Sequence, residues 1–257
     1  MSPVPAWSES RTAVVTGGGS GIGRAISLRL AAEGAAVAVW DLDADSARAT
    51  AAAIEDAGGG AIGLGVDVAD RPRVDEAVAE VRAQLGPATI LVNNAGISPF
   101  ERFLSISRES LVRVLAVNLV GTFDCCQAVA PDMIDARWGR IVNISSSSAQ
   151  VGNALQVHYA ASKAGVIGLT RSLARELGPK GITVNTIPPS FVDTPTLRGS
   201  AEKGFLGPGA EEHVKTTPVR RMGQPEDIAS ACAYLARDEA GFITGQVVGV
   251  NGGRTIC

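Results

Sequence analysis

The sequence predicts an α/β fold: one doubly wound domain on a parallel sheet of about seven strands, with helices on both faces. Three observations predict it. Short, continuously apolar runs rich in β-branched residues alternate with longer helical patterns along the chain, as expected of strands buried on both sides. A glycine cluster separates the first apolar run from the first helical pattern. No linker, low-complexity tract or short repeat divides the 257 residues, so positions 1–257 read as a single domain.

The elements follow in order. Residues 12–16 form the first strand, and a helix over 22–32 follows the glycines. Residues 36–40, 62–66 and 89–92 are strands, with helices over 43–57 and 71–85 between them. After a long helical stretch come a strand at 141–144, a helix over 159–177 and a strand at 182–187. A helix over 225–236 and a strand at 246–250 close the pattern. Residues 190–218 break the rhythm, because Gly199, Gly204, Gly207, Pro208 and Gly209 punctuate apolar residues such as Leu197, Phe205 and Leu206. This segment reads as a loop with short helices. A long insertion of this kind is a substrate lid or, alternatively, a mobile connection.

Hydrophobic residues make up 46% and charged residues 19% of the chain, which supports a sizeable core and excludes global disorder. The formal net charge of −3 argues against a broad nucleic-acid or membrane-surface binder. No unbroken apolar run approaches the roughly 18 residues of a spanning helix, and the first residues carry no signal-peptide pattern. The expectation is a cytoplasmic protein. The cysteines are Cys125, Cys126, Cys232 and Cys257, without a Cys-x-x-Cys pair, and His158 and His213 are the only histidines. No metal site is expected, and the thiols read as buried and inert in a reducing compartment.

The run Thr16-Gly17-Gly18-Gly19-Ser20-Gly21-Ile22-Gly23 leads from strand to helix. Gly17 allows a tight turn, Gly21 lets a pyrophosphate approach the backbone, and Gly23 allows close helix–strand packing. The helix N-terminus offers free N–H groups to phosphates. The same loop also reads as a tight strand–helix turn without a ligand. The second strand ends in Asp41, whose carboxylate suits the two hydroxyls of an adenosine ribose and repels a 2′-phosphate. Ser20 stands where an arginine would compensate such a phosphate, so the pattern favours NAD over NADP. A second reading of Asp41 is the cap of the following helix.

Tyr159 and Lys163 are spaced i and i+4, which places them on one helix face. A free tyrosine has a pKa near 10. A neighbouring ammonium stabilises the phenolate and lowers that value, giving a phenol able to exchange a proton with an alkoxide or alcohol. The alternative is a surface Tyr–Lys pair.

With these motifs the chain resembles the short-chain dehydrogenase/reductase family over about residues 10–254. The resemblance rests on residues 16–23, on Asn93-Asn94-Ala95-Gly96, on Asn118, on a serine upstream of the tyrosine, and on Tyr159 with Lys163. Within the family it is similar to the group of 3-oxoacyl carrier-protein reductases, cyclic hydroxyacyl-CoA dehydrogenases and hydroxysteroid dehydrogenases. The resemblance implies a Rossmann-like fold and a catalytic set of Asn118, Ser146, Tyr159 and Lys163. Composition leaves the run 145–148 ambiguous, and the family's usual placement of the serine before the tyrosine implies Ser146; Ser148, two residues on in a strand, is the runner-up. It further implies a cofactor site of Gly17, Ser20, Gly21, Ile22, Gly23, Asp41, Asp67, Val68, Asn94, Val192 and Thr194, together with Tyr159 and Lys163. Asn118 would support a proton-relaying water. Pro188-Pro189-Ser190 departs from the family's Pro-Gly, which bears on the local nicotinamide contact.

The implied function is an NAD-dependent, cytoplasmic carbonyl reductase that interconverts a secondary alcohol and a ketone, assembled as a homotetramer. The tetramer would pack helices near 111–136 and 159–177, the latter through Ala160, Ala161, Ala164, Gly165 and Gly168. The substrate is a small molecule, cyclic, steroidal or an acyl thioester; neither nucleic acid nor membrane is an expected partner. The competing readings are an NADPH-dependent 3-oxoacyl-thioester reductase, a non-catalytic NAD(H) sensor, and a structural subunit. The expected substrate pocket includes Ser98, Phe100, Gln150, Val151, Asn153, Leu155, His158 and residues 197–206. His158 reads as a helix-start or surface residue rather than a catalyst. Arg220 and Arg221 would serve an acidic substrate or form a solvated face.

Overall fold

Six strands form one parallel sheet: β1 (Thr12–Thr16), β2 (Ala36–Asp41), β3 (Ala61–Gly65), β4 (Ala88–Asn93), β5 (Gly139–Ile144) and β6 (Ile182–Ile187). Their spatial order is β3-β2-β1-β4-β5-β6. A computed structural model describes residues 6–205 and 209–256; Leu206, Gly207, Pro208 and Cys257 lie outside them. Side chains alternate across the sheet as strand geometry requires. Ala13, Val15, Val37, Val39, Ile90 and Val92 enter one apolar core. Val14, Ala38, Trp40 and Leu91 enter the other. Helices cover both faces: α1 (Gly21–Ala32), α2 (Ala44–Asp56) and α10 (Pro225–Ala236) on the first, α3 (Arg71–Leu85), α5 (Gly121–Ala136) and α7 (Val157–Leu177) on the second.

The order reverses between β1 and β4, so connections leave the C-terminal ends of these strands in opposite directions and open a crevice there. The predicted fold class therefore holds, with six strands rather than seven. Residues 246–250 lie beside β6, but the ladder reduces to a single bridge, Thr186 to Val247. Side chains take over the neighbouring bonds. The Val184 N–H donates to Thr244 Oγ1 (3.0 Å) and the Gln246 N–H to Asn185 Oδ1 (3.1 Å), while Gly245 turns at φ +71°.

The long helical stretch comprises α4 (Arg108–Leu115), a π turn (Ala116–Val120) and α5. Together they form a helical run long and apolar enough to cross a membrane by length and composition, although half of its most apolar window is buried inside the fold. Asp124 and Asp132 interrupt its apolar character and pair with Arg71 (3.4 Å) and Arg82 (2.8 Å) of α3. The insertion contains two short helices, α8 (Pro195–Glu202) and α9 (Ala210–Thr216), and α6 (Ser148–Val151) precedes α7.

Candidate active site

The crevice is a cavity of about 880 Å³ over the C-terminal ends of the sheet. At one end lies the glycine loop. Gly21 has φ +50°, and a Cβ there would point at Thr194, 3.5 Å away, across the cavity edge. A Cβ on Gly23 would run into the Gly17 carbonyl, so only glycine lets α1 start this close to β1. Ser20 is the N-cap of α1, yet its side chain makes no capping hydrogen bond, and the first turn holds no acid. The first-turn N–H groups thus keep their affinity for an anion.

Asn94 fastens β4 to this loop. Its Nδ2 donates to the Thr16 and Gly17 carbonyls (3.1 and 3.0 Å), and its N–H donates to Thr16 Oγ1 (3.0 Å). Thr16 Oγ1 also accepts the Ala95 N–H, a role that sequence spacing did not reveal. Asp41 Oδ2 accepts the Gly19 N–H (2.9 Å) and Oδ1 the Asp43 N–H (3.1 Å). The cap of α2 is Asp43, so Asp41 aims its carboxylate at the loop and cavity rather than capping the helix. Asp67 and Val68 line the same end, where Arg113 of α4, unmarked in the sequence, pairs with Asp67 at 3.4 Å. Gly17, Ser20, Gly21, Ile22, Asp41, Asn94, Val192 and Thr194 all line the cavity; Gly23 lies just behind it. Val192 is held by a bridge to Gly223, and Thr194 caps α8.

At the other end, Tyr159 and Lys163 share a face of α7 and line the cavity with Ser146. The Ser146 hydroxyl faces the Tyr159 hydroxyl and favours its phenolate. β5 ends at Ile144 and the chain turns into α6. The strand relation between Ser146 and Ser148 therefore does not arise: the Ser148 N–H donates back to Ser146 Oγ (3.1 Å). Ser145 is buried and donates to the Lys163 carbonyl (2.9 Å).

Burial pushes the Tyr159 phenol above its ordinary value, and the Ser146 hydrogen bond opposes this. Lys163 is 4% exposed, and burial pushes it down to about 8. Its Nζ donates to the Ile144 carbonyl (2.8 Å). The Ser146 hydroxyl thus acts on the phenol, while Lys163 on the same helix face is anchored to the backbone.

Asn118, fully buried in the π turn, grips Ile97 from both sides. Its Oδ1 accepts the Ile97 N–H (2.8 Å) and its Nδ2 donates to the Ile97 carbonyl (2.9 Å). Nδ2 also donates to Ser162 Oγ (3.0 Å), which in turn donates to the Tyr159 carbonyl (2.7 Å). Asn118 therefore braces α7 and the chain after β4 around the reactive pair.

Ser98, Phe100, Val151, Asn153, Leu155, Leu197 and Phe205 line the cavity as expected, whereas Gln150 and His158 do not. His158 is 2% exposed, 3.8 Å from Glu101, which excludes the surface reading. Arg221 is held bidentately by Asp227 (2.6 and 2.7 Å), Arg220 by the Lys215 carbonyl, and neither lines the cavity. Ser190 is not among the residues with positive φ, so replacing the family's glycine strains nothing; its hydroxyl is buried without a protein partner. The described cysteines are free and buried. Burial drives Cys125 and Cys232 far up and Cys126 to about 12, which makes them unreactive. Among the described residues no cluster suits a metal ion.

A family model described as enoyl-(acyl carrier protein) reductase matches residues 17–255. The chain belongs to the short-chain dehydrogenase/reductase family. Among curated members, short-chain reductase protein NovJ of Streptomyces niveus is 46% identical over 249 residues, covering 96% of this chain and 95% of its own. The (3R)-3-hydroxyacyl-CoA dehydrogenase of Mus musculus is 44% identical over 253 residues, covering 95% and 96%. The 3-oxoacyl-[acyl-carrier-protein] reductase FabG of Thermotoga maritima is 38% identical over 248 residues, covering 96% and 99%. A family structure described as an NAD(P)-dependent gluconate 5-dehydrogenase from Beutenbergia cavernae, with NADP at low occupancy, superposes with TM-score 0.90 at 36% identity, covering 98% and 99% of the two chains. This family membership makes the protein an oxidoreductase that uses a nicotinamide cofactor.

Proposed function

We propose that this chain interconverts a secondary alcohol and a ketone with NAD(H). The observation that carries the reading is that Ser146, Tyr159 and Lys163 line the same cavity as the glycine loop. The cradle fits a dinucleotide. The glycine loop and the first turn of α1 would hold the pyrophosphate, and Asp41 the adenosine ribose. Asp67, Val68 and Asn94 would flank it, Val192 and Thr194 would meet the carboxamide, and Lys163 the nicotinamide ribose. When bound, the nicotinamide supplies or accepts the hydride.

The chain's own residues handle the oxygen. Ser146 donates to the carbonyl oxygen and holds it against Tyr159. In reduction the Tyr159 O–H bond breaks and its proton passes to the forming alkoxide; in oxidation the phenolate takes the hydroxyl proton. Asn118 keeps Tyr159 and Lys163 in place by bracing α7.

A second reading is an NADPH-linked 3-oxoacyl-thioester reductase, favoured by the names of the FabG and hydroxyacyl-CoA relatives. The Asp41 carboxylate opposes the 2′-phosphate this reading needs. Initial rates with NAD(H) and NADP(H), on cyclic, steroidal and β-oxoacyl thioester substrates, separate the two. Tyr159→Phe should cut turnover by about 10²–10⁴-fold with NADH affinity unchanged. Substantial turnover by this variant rejects the assignment, and NADH binding without any turnover in the parent favours a sensor.

The proposed assembly is a homotetramer. Ala161, Ala164 and Gly168 face outward on α7, and Val120 and Phe123 are about half exposed. Gly165 is used internally, since a Cβ there would meet Leu119 at 2.8 Å. A stable monomer by light scattering would reject the tetramer.

A further inference from the structure

We propose that Arg254 forms an anion-recognition subsite in the substrate end of the cavity, so that the alcohol or ketone carries a carboxylate or phosphate group. The inference rests on the reading of this cavity as the alcohol/ketone site and names the class of substrate it takes.

Arg254, His213, Thr255 and Phe191 form one stretch of the cavity wall. The guanidinium is fixed by a carbonyl, a hydroxyl and an imidazole ring. Nη1 donates to the His213 carbonyl (3.2 Å) and Thr216 Oγ1 (3.1 Å), and Nη2 lies 3.0 Å from His213 Nδ1. Arginine can only donate, so the ring Nδ1 is the acceptor of this contact. The guanidinium also lies over the Phe191 ring, 4.6 Å from its centre, and Phe191 stacks on His213 at 3.8 Å.

These contacts orient the cation without neutralising it. Three of its five N–H donors are engaged; the Nε–H and one Nη2–H have no partner among the described residues. Of the acids in the surrounding segments, Asp193 pairs with Arg198, Glu212 with Lys215 and Asp227 with Arg221, while Glu202 and Glu211 are exposed and do not line the cavity. Among the described residues that line the cavity, the acids are Asp41 and Asp67, both at the adenosine end, and Asp67 already faces Arg113. The described lining of the substrate end thus carries Arg254 and Lys163 and no acidic side chain. A planar, pre-oriented fork with free donors matches the two oxygens of a carboxylate or phosphate. The same cavity is lined by Phe100 stacked on Phe205 at 5.1 Å, with Ile97, Leu155 and Leu197, which suits a ligand with an apolar body and an anionic head.

The test is calorimetric titration of the enzyme–NADH complex with octanoate, octyl phosphate and octanamide, for the parent, Arg254→Gln and Arg254→Lys. In the parent, at least one anion should bind about tenfold or more tightly than the amide, and the tighter of the two identifies the head group. Arg254→Gln should bring the anion within twofold of the amide while leaving amide and NADH affinities unchanged. Should that variant not fold, Arg254→Lys carries the test: it should lose several-fold in anion affinity alone, because the fork is gone while the charge remains. Equal binding of anion and amide by the parent overturns the proposal, as does discrimination that survives in both variants or an equal loss for amide and anion. Alcohol oxidation is assayed separately. A failure of all turnover removes the proposed reaction and leaves the binding comparison to decide the subsite.

Discussion

Replacing Lys163 by methionine should abolish turnover and yet relieve the fold. A lysine pKa lowered from 10.5 to about 8 by burial means that the native state disfavours the charged form. The sign follows directly. Below pH 8 the native protein must hold a buried ammonium, and that cost is fully present. As pH rises from 8 towards 10.5 the native lysine is neutral while the unfolded one still binds a proton, so stability rises with pH. At about 1.4 kcal/mol per pKa unit, the ammonium costs about 3 kcal/mol at pH 7. Methionine carries no such charge and fills a similar volume. Denaturant unfolding of both proteins at pH 7 and pH 10 reads the effect, because other titrating groups cancel in the difference. The parent should gain about 2–3 kcal/mol relative to Lys163→Met over that interval. Parallel stabilities at the two pH values would refute the reasoning and place the lysine in a wetter environment than its anchoring on Ile144 indicates.

Other substitutions test separate links. Asp41→Ala should lower the NAD-to-NADP ratio of kcat/KM by about tenfold or more, since charged hydrogen bonds are worth about 1.5–3 kcal/mol; an unchanged ratio removes its role. Gly23→Ala should lose NADH affinity and destabilise the fold by about 1–3 kcal/mol or more, measured by fluorescence titration and thermal melting. A protein that tolerates it unchanged contradicts the close contact with Gly17. Ser190→Gly should leave stability within about 1 kcal/mol, because no positive φ is being relieved; a larger gain by denaturant unfolding would reveal strain at this turn.

The parts of the site legible in the sequence are those encoded locally. Tyr159 and Lys163 declare themselves because one helix turn fixes their relation, and the glycine loop because strand, turn and helix are contiguous. The sheet was legible for the same reason: each strand carries its own apolar run. Residues 246–250 look like another such strand, but Thr244 and Asn185 side chains capture bonds that a ladder would have used, and no local pattern records that competition. Asn118 resembles a poor helix residue until Ile97 is seen in its grip. Arg254 and His213 are 41 positions apart, and only the return of the chain end across α9 joins them. Only resemblance singles out Ser146; its physical distinction, a place in the cavity wall with Tyr159, belongs to the turn after β5.

The π turn at Ala116–Val120 has a consequence for which length changes this fold can accept. The extra residue is taken up within this one turn, so α4 packs towards α7 while α5 still lies on β4 and β5. The same wide turn places Asn118 opposite Ile97. Deleting one residue there leaves an ordinary helix whose downstream face stays on the sheet, but the carboxamide leaves Ile97. A residue gained or lost in the regular turns on either side would instead rotate everything downstream by about 100°. The irregular turn thus works as a phase adapter: length can change inside it at the expense of the Asn118 bracket, whereas a change elsewhere between Arg108 and Ala136 swings the apolar face of α5 off the sheet.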